Sequence, residues 1–192
     1  MYIVFEGIDG AGKTTQIQML KEWLEANGFR VETVVEPTES EVGNLIHRIL
    51  KHPDAQTEKF QNILALLFAA DRMFIMDELE DKSKIIISDR SFISSLAYQD
   101  NSEWVEVLNK YAKRPDLLIL LDLDVNTSVS RTSKEDTFEN EAFLTKVREN
   151  YLNFAKDYTC EIIDATNGVN KVSSDIKKAV APYLGICPDC IR

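Results

Sequence analysis

Apolar residues along this chain fall into two kinds of run. Short, nearly unbroken stretches sit at residues 2–6, 85–88 and 117–121. They alternate too little for a half-exposed strand and suit strands buried on both faces of a parallel sheet. Residues 30–36, closed by Pro37, and 161–164 read as two more strands. Between them the periodicity predicts helices over 13–27, stopped at Gly28, and over 41–50, 57–80, 138–157 and 170–183. The middle of the long one, Ile63-Leu64-Ala65-Leu66-Leu67-Phe68, is apolar on most faces. Such a helix is expected to be buried on more than one side, by its own domain and by a partner subunit. Strands alternating with helices mean an α/β fold: a parallel sheet with right-handed crossovers. No repeat, low-complexity tract or linker interrupts it, so residues 1–192 are expected to form one domain.

Composition narrows the partners. A chain of 192 residues can bury a real core without a disulfide scaffold, and its three cysteines are too few for one. The formal charge of −10 disfavours binding to nucleic acid or to an anionic membrane, though a local cluster of donors can still hold a small phosphorylated ligand. No apolar run is long enough to span a bilayer, and Met1-Tyr2-Ile3-Val4-Phe5 lacks the basic start of a signal peptide. Together these point to the cytoplasm. Cys187-Pro188-Asp189-Cys190 supplies two thiols where a structural zinc needs four, and reads as a tail.

Candidate chemistry begins after the first strand. Gly7-Ile8-Asp9-Gly10-Ala11-Gly12-Lys13-Thr14 meets the pattern G-x-x-x-x-G-K-[ST] in full, with a strand before it and a helix after it. The glycines let backbone N–H groups turn inward around a triphosphate, Lys13 brings a mobile charge to the β- and γ-phosphates, and Thr14 offers a hydroxyl to Mg²⁺. The helix N-terminus adds its positive dipole end. Asp9 is odd inside an anion-binding loop. It is expected to face a hydroxyl donor or a metal-bound water, the alternative being a solvated turn aspartate. The strand over 85–88 ends in Asp89-Arg90, on the side where such sheets bind ligands. A carboxylate there can hold the water shell of Mg²⁺, and the arginine can clamp a phosphoryl oxygen.

With these residues in view the chain resembles the thymidylate (dTMP) kinases. The resemblance is carried by Phe5-Glu6 and the loop through Thr15, by Glu36-Pro37-Thr38, by Leu66-Leu67-Phe68-Ala69-Ala70-Asp71-Arg72, and by Asp89-Arg90 with Ser94 and Ala97-Tyr98-Gln99. Leu121-Asp122-Leu123-Asp124, Arg131, Phe138-Glu139, Tyr151 and Asp164-Ala165-Thr166 continue it. It implies a three-layer P-loop kinase fold: a five-stranded parallel sheet flanked by helices, with a short lid near 131–138. It also implies ATP-Mg²⁺ as donor, bound by residues 7–15, dTMP as acceptor, and a homodimer. Phe68 and Arg72 share a helix face, so Phe68 can stack on a pyrimidine while Arg72 donates to its exocyclic oxygen. By the family pattern Asp9 meets the deoxyribose 3′-hydroxyl, Tyr98 lies under the sugar, Ser95 contacts the base, and Tyr151 closes over the nucleoside.

Three departures stand out. Ser91 replaces an aromatic or histidine. His47 stands where the family tends to have an arginine, and Arg48 is turned from it by about 100° on a helix. Gly10 and Ala11 leave the loop without an arginine, and the lid offers only Arg131 and Lys134. Lys13, Arg90, Mg²⁺ and Arg131 are therefore expected to share the charge of direct, in-line transfer. A related small kinase with another acceptor, or a nucleotide switch without turnover, stays open at this point.

Overall fold

In a computed structural model of the chain, residues 1–99, 102–131 and 141–187 are described. The strands are β1 (Tyr2–Glu6), β2 (Val31–Val35), β3 (Ile85–Asp89), β4 (Leu117–Asp122) and β5 (Cys160–Asp164). All pair in parallel, in the order β2-β3-β1-β4-β5. The three unbroken apolar runs become the central strands, where β1, β3 and most of β4 are buried. The two less apolar strands, VETVV and CEIID, take the edges and are only partly covered. The order follows from that difference, because a central strand in a two-faced core has no side on which to show a charge.

Nine α-helices are found among the described residues: α1 (Lys13–Ala26), α2 (Glu41–Leu50), α3 (Glu58–Met73), α4 (Met76–Glu80), α5 (Phe92–Tyr98), α6 (Ser102–Leu108), α7 (Val125–Arg131), α8 (Glu141–Phe154) and α9 (Val169–Val180). One core joins both faces of the sheet to α1, α5, α8 and α9. No helix of the described residues is long and apolar enough to cross a membrane.

The helix expected over 57–80 is two helices. Phe74 and Ile75 donate back to Asp71 and Arg72, three residues behind, which tightens the chain into a turn. That turn sends Ile75 and Leu79 into the core and leaves Phe74 outside. No glycine or proline marks the break; tertiary packing makes it. Segments α6 and α7 are short and lack a readable period, so the pattern did not delineate them. Of the lid expected at 131–138, only Arg131 is described; Lys134, Phe138 and Glu139 lie outside the described residues, as does Cys190.

Candidate active site

β1, β3 and β2 all deliver their carboxyl ends to one edge of the sheet, followed in turn by the glycine loop, by Arg90 and by Glu36. The order reverses about β1, which makes this edge the crevice where open α/β sheets take ligands. Gly7 has φ 143°, and a Cβ there would lie 2.6 Å from the Leu121 carbonyl. Gly12 caps α1 in the left-handed region, without a capping side chain and without an acid in the first turn. The first N–H groups of α1 thus stay available to an anion. Lys13 is buried and folds back over the loop, donating to Gly7 O at 3.0 Å and Ile8 O at 3.3 Å. Burial and the nearby Arg90 guanidinium push its ammonium down to about 8, against the pull of Asp9.

From the first turn of α1, Thr14 Oγ1 donates to Asp89 Oδ2 at the end of β3, at 2.9 Å. Among the described residues no group of three or more His, Cys, Asp or Glu side chains could hold a metal alone. One hydroxyl and one carboxylate nonetheless fit Mg²⁺, which takes few protein ligands and fills its shell with waters and substrate phosphates.

Arg90 sits at φ 73°, a left-handed backbone uncommon outside glycine and often tied to function. Its N–H donates to Phe5 O at 3.0 Å and its carbonyl accepts from Ser88 Oγ at 2.6 Å, which holds the turn. The guanidinium pairs with Asp9 and donates to Ser94 Oγ at 3.1 Å and Tyr151 OH at 3.2 Å. Burial alone would raise Asp9, yet Arg90 and Lys13 hold its carboxyl below the usual range. Behind this layer lies Glu6, which is 0% exposed. It accepts from Ser91 Oγ (2.9 Å), Ser94 N (3.1 Å), Ser94 Oγ (2.6 Å) and Tyr151 OH (2.9 Å). A buried carboxylate is tolerable only with such a full set of donors. Sequence reading gave Glu6 no role, since one acid at the end of a buried strand has no distinguishing pattern. Ser91 finds its use here too: it bonds Glu6 and caps α5 by accepting from Ile93 N.

The third wall is built by α2, α3 and α5. Arg72 is buried; its Nε donates to Glu36 Oε2 at 2.7 Å, and Nη2 lies 2.7 Å from the same oxygen. Nη2 also donates to Ser95 Oγ at 3.3 Å, and Nη1 donates to Asn109 Oδ1. Glu36 is pushed up by burial to about 7 in spite of Arg72. Next to Arg72 on the chain, Asp71 accepts from Thr38 N (2.7 Å), Thr38 Oγ1 (2.6 Å) and Ser40 Oγ (2.6 Å), while Ser40 caps α2. The Glu-Pro-Thr turn is thereby fastened to α3.

These walls enclose one cleft of about 850 Å³. Of the expected site residues, Asp9, Gly10, Gly12, Lys13, Thr14, Thr15, Phe68, Arg72, Asp89, Arg90, Ser95, Tyr98 and Arg131 line it, while Gly7, Ile8 and Ala11 form the body of the loop. Arg90 lies over the Tyr98 ring, 5.4 Å from its centroid. Arg131 is exposed and donates to Gly10 O at 3.3 Å and Ala165 O at 3.2 Å. One expectation needs correcting. Tyr151 is 2% exposed and does not line the cleft; its ring packs edge-on behind Tyr98 and its hydroxyl is spent on Glu6 and Arg90. His47 on α2 and Lys51 just beyond its end line the cleft and Arg48 does not, so the histidine keeps the facing position. Gln99 went unassigned in the sequence, yet it lines the cleft with a buried Oε1 that has no partner among the described residues.

The profile of the thymidylate kinase family matches residues 5–176. A probable thymidylate kinase of Methanobrevibacter smithii is 71% identical over 192 residues, covering 100% of both chains. Similar proteins of the same description from Methanosphaera stadtmanae and Methanocaldococcus jannaschii are 49% and 40% identical, covering 96% and 98% of this chain and 99% and 97% of their own. The chain belongs to the thymidylate kinase family and has that family's activity, phosphoryl transfer to thymidylate.

Proposed function

We propose that ATP-Mg²⁺ binds at the glycine loop, dTMP binds between α2, α3 and α5, and the γ-phosphoryl group passes directly between them to give ADP and dTDP. The observation that carries this is that Lys13, Arg90 and Arg72 all line one cleft. Its volume of about 850 Å³ lies toward the upper end of ligand clefts.

At the donor end, Lys13 exchanges its bonds to Gly7 O and Ile8 O for phosphate oxygens. Thr14 and Asp89 would hold Mg²⁺, which when bound neutralises charge on the phosphates. Arg90 supplies positive charge where the two phosphates meet, kept in place by Ser94 and Tyr151. Arg131 adds charge from the rim, beside Gly10. His47 and Lys51, one helical turn apart, face the acceptor phosphate. Asp9 uses Oδ1 on Arg90 and Lys13, which leaves Oδ2 for the sugar 3′-hydroxyl.

At the base end a hydrogen-bond inventory favours thymine. A guanidinium has five N–H groups. One on Nε, two on Nη2 and one on Nη1 have partners, so one Nη1 donor remains among the described residues. Thymine offers O4 to that donor, where cytosine offers only another donor. Gln99 Oε1 is an acceptor in search of a donor, and N3–H is the one ring donor of thymine. Phe68 supplies the stacking face. Tyr98 lies beneath the sugar, against a ribose 2′-hydroxyl.

We also propose a homodimer through α3. Leu66 and Met73, two turns apart on one face, are 51% and 55% exposed, and Phe74 just beyond is 64% exposed. An exposed apolar stripe on an acidic protein calls for a partner. Sedimentation at micromolar concentration checks it; a monomer would remove this part.

ADP formation from ATP-Mg²⁺ tests the function, with dTMP, dUMP, dCMP, dGMP, UMP, AMP and thymidine offered singly. Turnover is expected with dTMP and more slowly with dUMP. Absence of acceptor-dependent ADP would sink it.

A further inference from the structure

Arg72 would read the base, but nothing on its own helix holds it. Its guanidinium lies between two acceptors from distant parts of the chain: Glu36 Oε2 at the end of β2, and Asn109 Oδ1 just beyond α6. Asn109 is 4% exposed and does not line the cleft, so it cannot touch the acceptor. Its own orientation is fixed, because Nδ2 donates to Val105 O at 2.8 Å, one turn back on α6. That bond leaves Oδ1, rather than Nδ2, facing Arg72. Ser95 takes a further N–H at 3.3 Å.

We propose that Asn109 is a positioning residue for base selection: with Glu36 as the opposite jaw, it fixes Arg72 so that one Nη1 donor faces the exocyclic oxygen of the base. At the exocyclic position, selection between thymine and cytosine rests on the direction of a single donor. A guanidinium on a flexible stem has about 2 kcal/mol of rotamer freedom, and a reader free to turn can avoid an amino group as readily as it meets a carbonyl. Two jaws on opposite sides remove that freedom before the acceptor arrives. Asn109 ties the choice of base to the end of α6, a helix none of whose described side chains lines the cleft.

This rests on Arg72 as the base reader, and the test separates the two. The readout is the ratio of kcat/KM for dTMP to that for dCMP. The two acceptors share sugar and phosphate, so any loss at the phosphate end cancels. Asn109→Leu keeps the volume and removes the acceptor; Asn109→Ala removes both and serves if the leucine variant does not fold. Either is expected to lower the ratio about tenfold, the worth of one charge-assisted hydrogen bond, with KM for ATP unchanged. Asn109→Asp loses the bond to Val105 O but keeps an oxygen toward Arg72, now in an ion pair that orients it, and is expected to retain the ratio to within about threefold. Equal losses on both acceptors with the ratio intact, or an aspartate as damaging as the leucine, would overturn the proposal. Arg72→Ala runs alongside. If it leaves the ratio unchanged, Arg72 is no reader; if it collapses the ratio while the Asn109 variants do not, only the clamp fails.

Discussion

The two ends of the cleft are built in different ways. The donor end is nearly contiguous. Residues 7–15 form the loop and the start of α1, and Asp89 and Arg90 come as a pair from the neighbouring strand. Its donors are largely backbone N–H groups, and its charges, Lys13 and Arg90, rest on Gly7, Ile8, Asp9, Ser94 and Tyr151 until phosphates arrive. The acceptor end is dispersed. Glu36, Arg72, Ser95 and Asn109 come from four elements, and each side chain means little without the others. One end handles charge, which acts over distance and tolerates shifts. The other, in the proposed function, reads the base through directed hydrogen bonds, which do not. Damage to the first should cost rate for every acceptor alike, and damage to the second should cost choice.

Arg90→Ala tests that division most severely. The guanidinium touches Asp9, Ser94 and Tyr151, and in the proposed function supplies charge where transfer takes place. Loss of one such group costs on the order of 10²–10³-fold in kcat. The loss should be equal for dTMP and dUMP, measured by steady-state ADP formation. A larger loss for one base would mean that the two ends are not separable.

A smaller effect is expected from pH. Lys13 is held down to about 8 in the folded chain, first by burial and then by Arg90. Its ordinary value is 10.5, so the folded loop loses this charge at a pH where the unfolded chain would keep it. The sign follows: a neutral amine does not attract phosphate, so ATP affinity should weaken as pH rises through 8. With one controlling proton the Kd for ATP-Mg²⁺ should rise about tenfold between pH 7 and pH 9. Titration calorimetry at the two pH values checks it. Lys13→Arg, whose charge persists, should flatten the profile. A flat profile in the unaltered protein would mean that Lys13 is never neutral there. The ratio of dTMP to dUMP turnover should not move with ATP affinity.

The same contrast explains what could be read from the chain beforehand. Three apolar runs sufficed for the central strands, because double burial leaves a compositional mark. The glycine loop was legible because backbone geometry demands glycine at set spacings. Asp89-Arg90 was legible from its place at a strand end. Glu6 and Asn109 carried no such mark. A buried polar residue is explained only by its partners, and theirs lie far off in sequence: Tyr151 is 145 residues from Glu6, and Asn109 is 37 from Arg72. The break between α3 and α4 was hidden for a like reason, since the turn at Phe74 follows from where Ile75 must pack. His47 and Arg48 illustrate the middle case. Helical spacing alone gave the rotation between them, and the cleft decided which one faces it.

Tyr151 lies where the two ends are hardest to tell apart, and its hydroxyl is the finest probe of them. If the ring closed over the nucleoside, Tyr151→Phe would keep the ring and leave both kcat and KM as they are. Behind Tyr98 the hydroxyl has other work: it donates to Glu6 at 2.9 Å and accepts from Arg90 at 3.2 Å. Removing it takes one donor from a buried carboxylate and one support from the arginine. Ser94 bonds both groups in parallel, so neither is abandoned. The expected loss is about one ordinary hydrogen bond, a threefold to tenfold fall in kcat. KM for dTMP should stay, because the cleft wall at Tyr98 is untouched, and the ratio between bases should stay, because Arg72 is. A silent Tyr151→Phe would remove the hydroxyl's role in holding Arg90. A rise in KM for dTMP alone would mean that the hydroxyl itself touches the nucleoside.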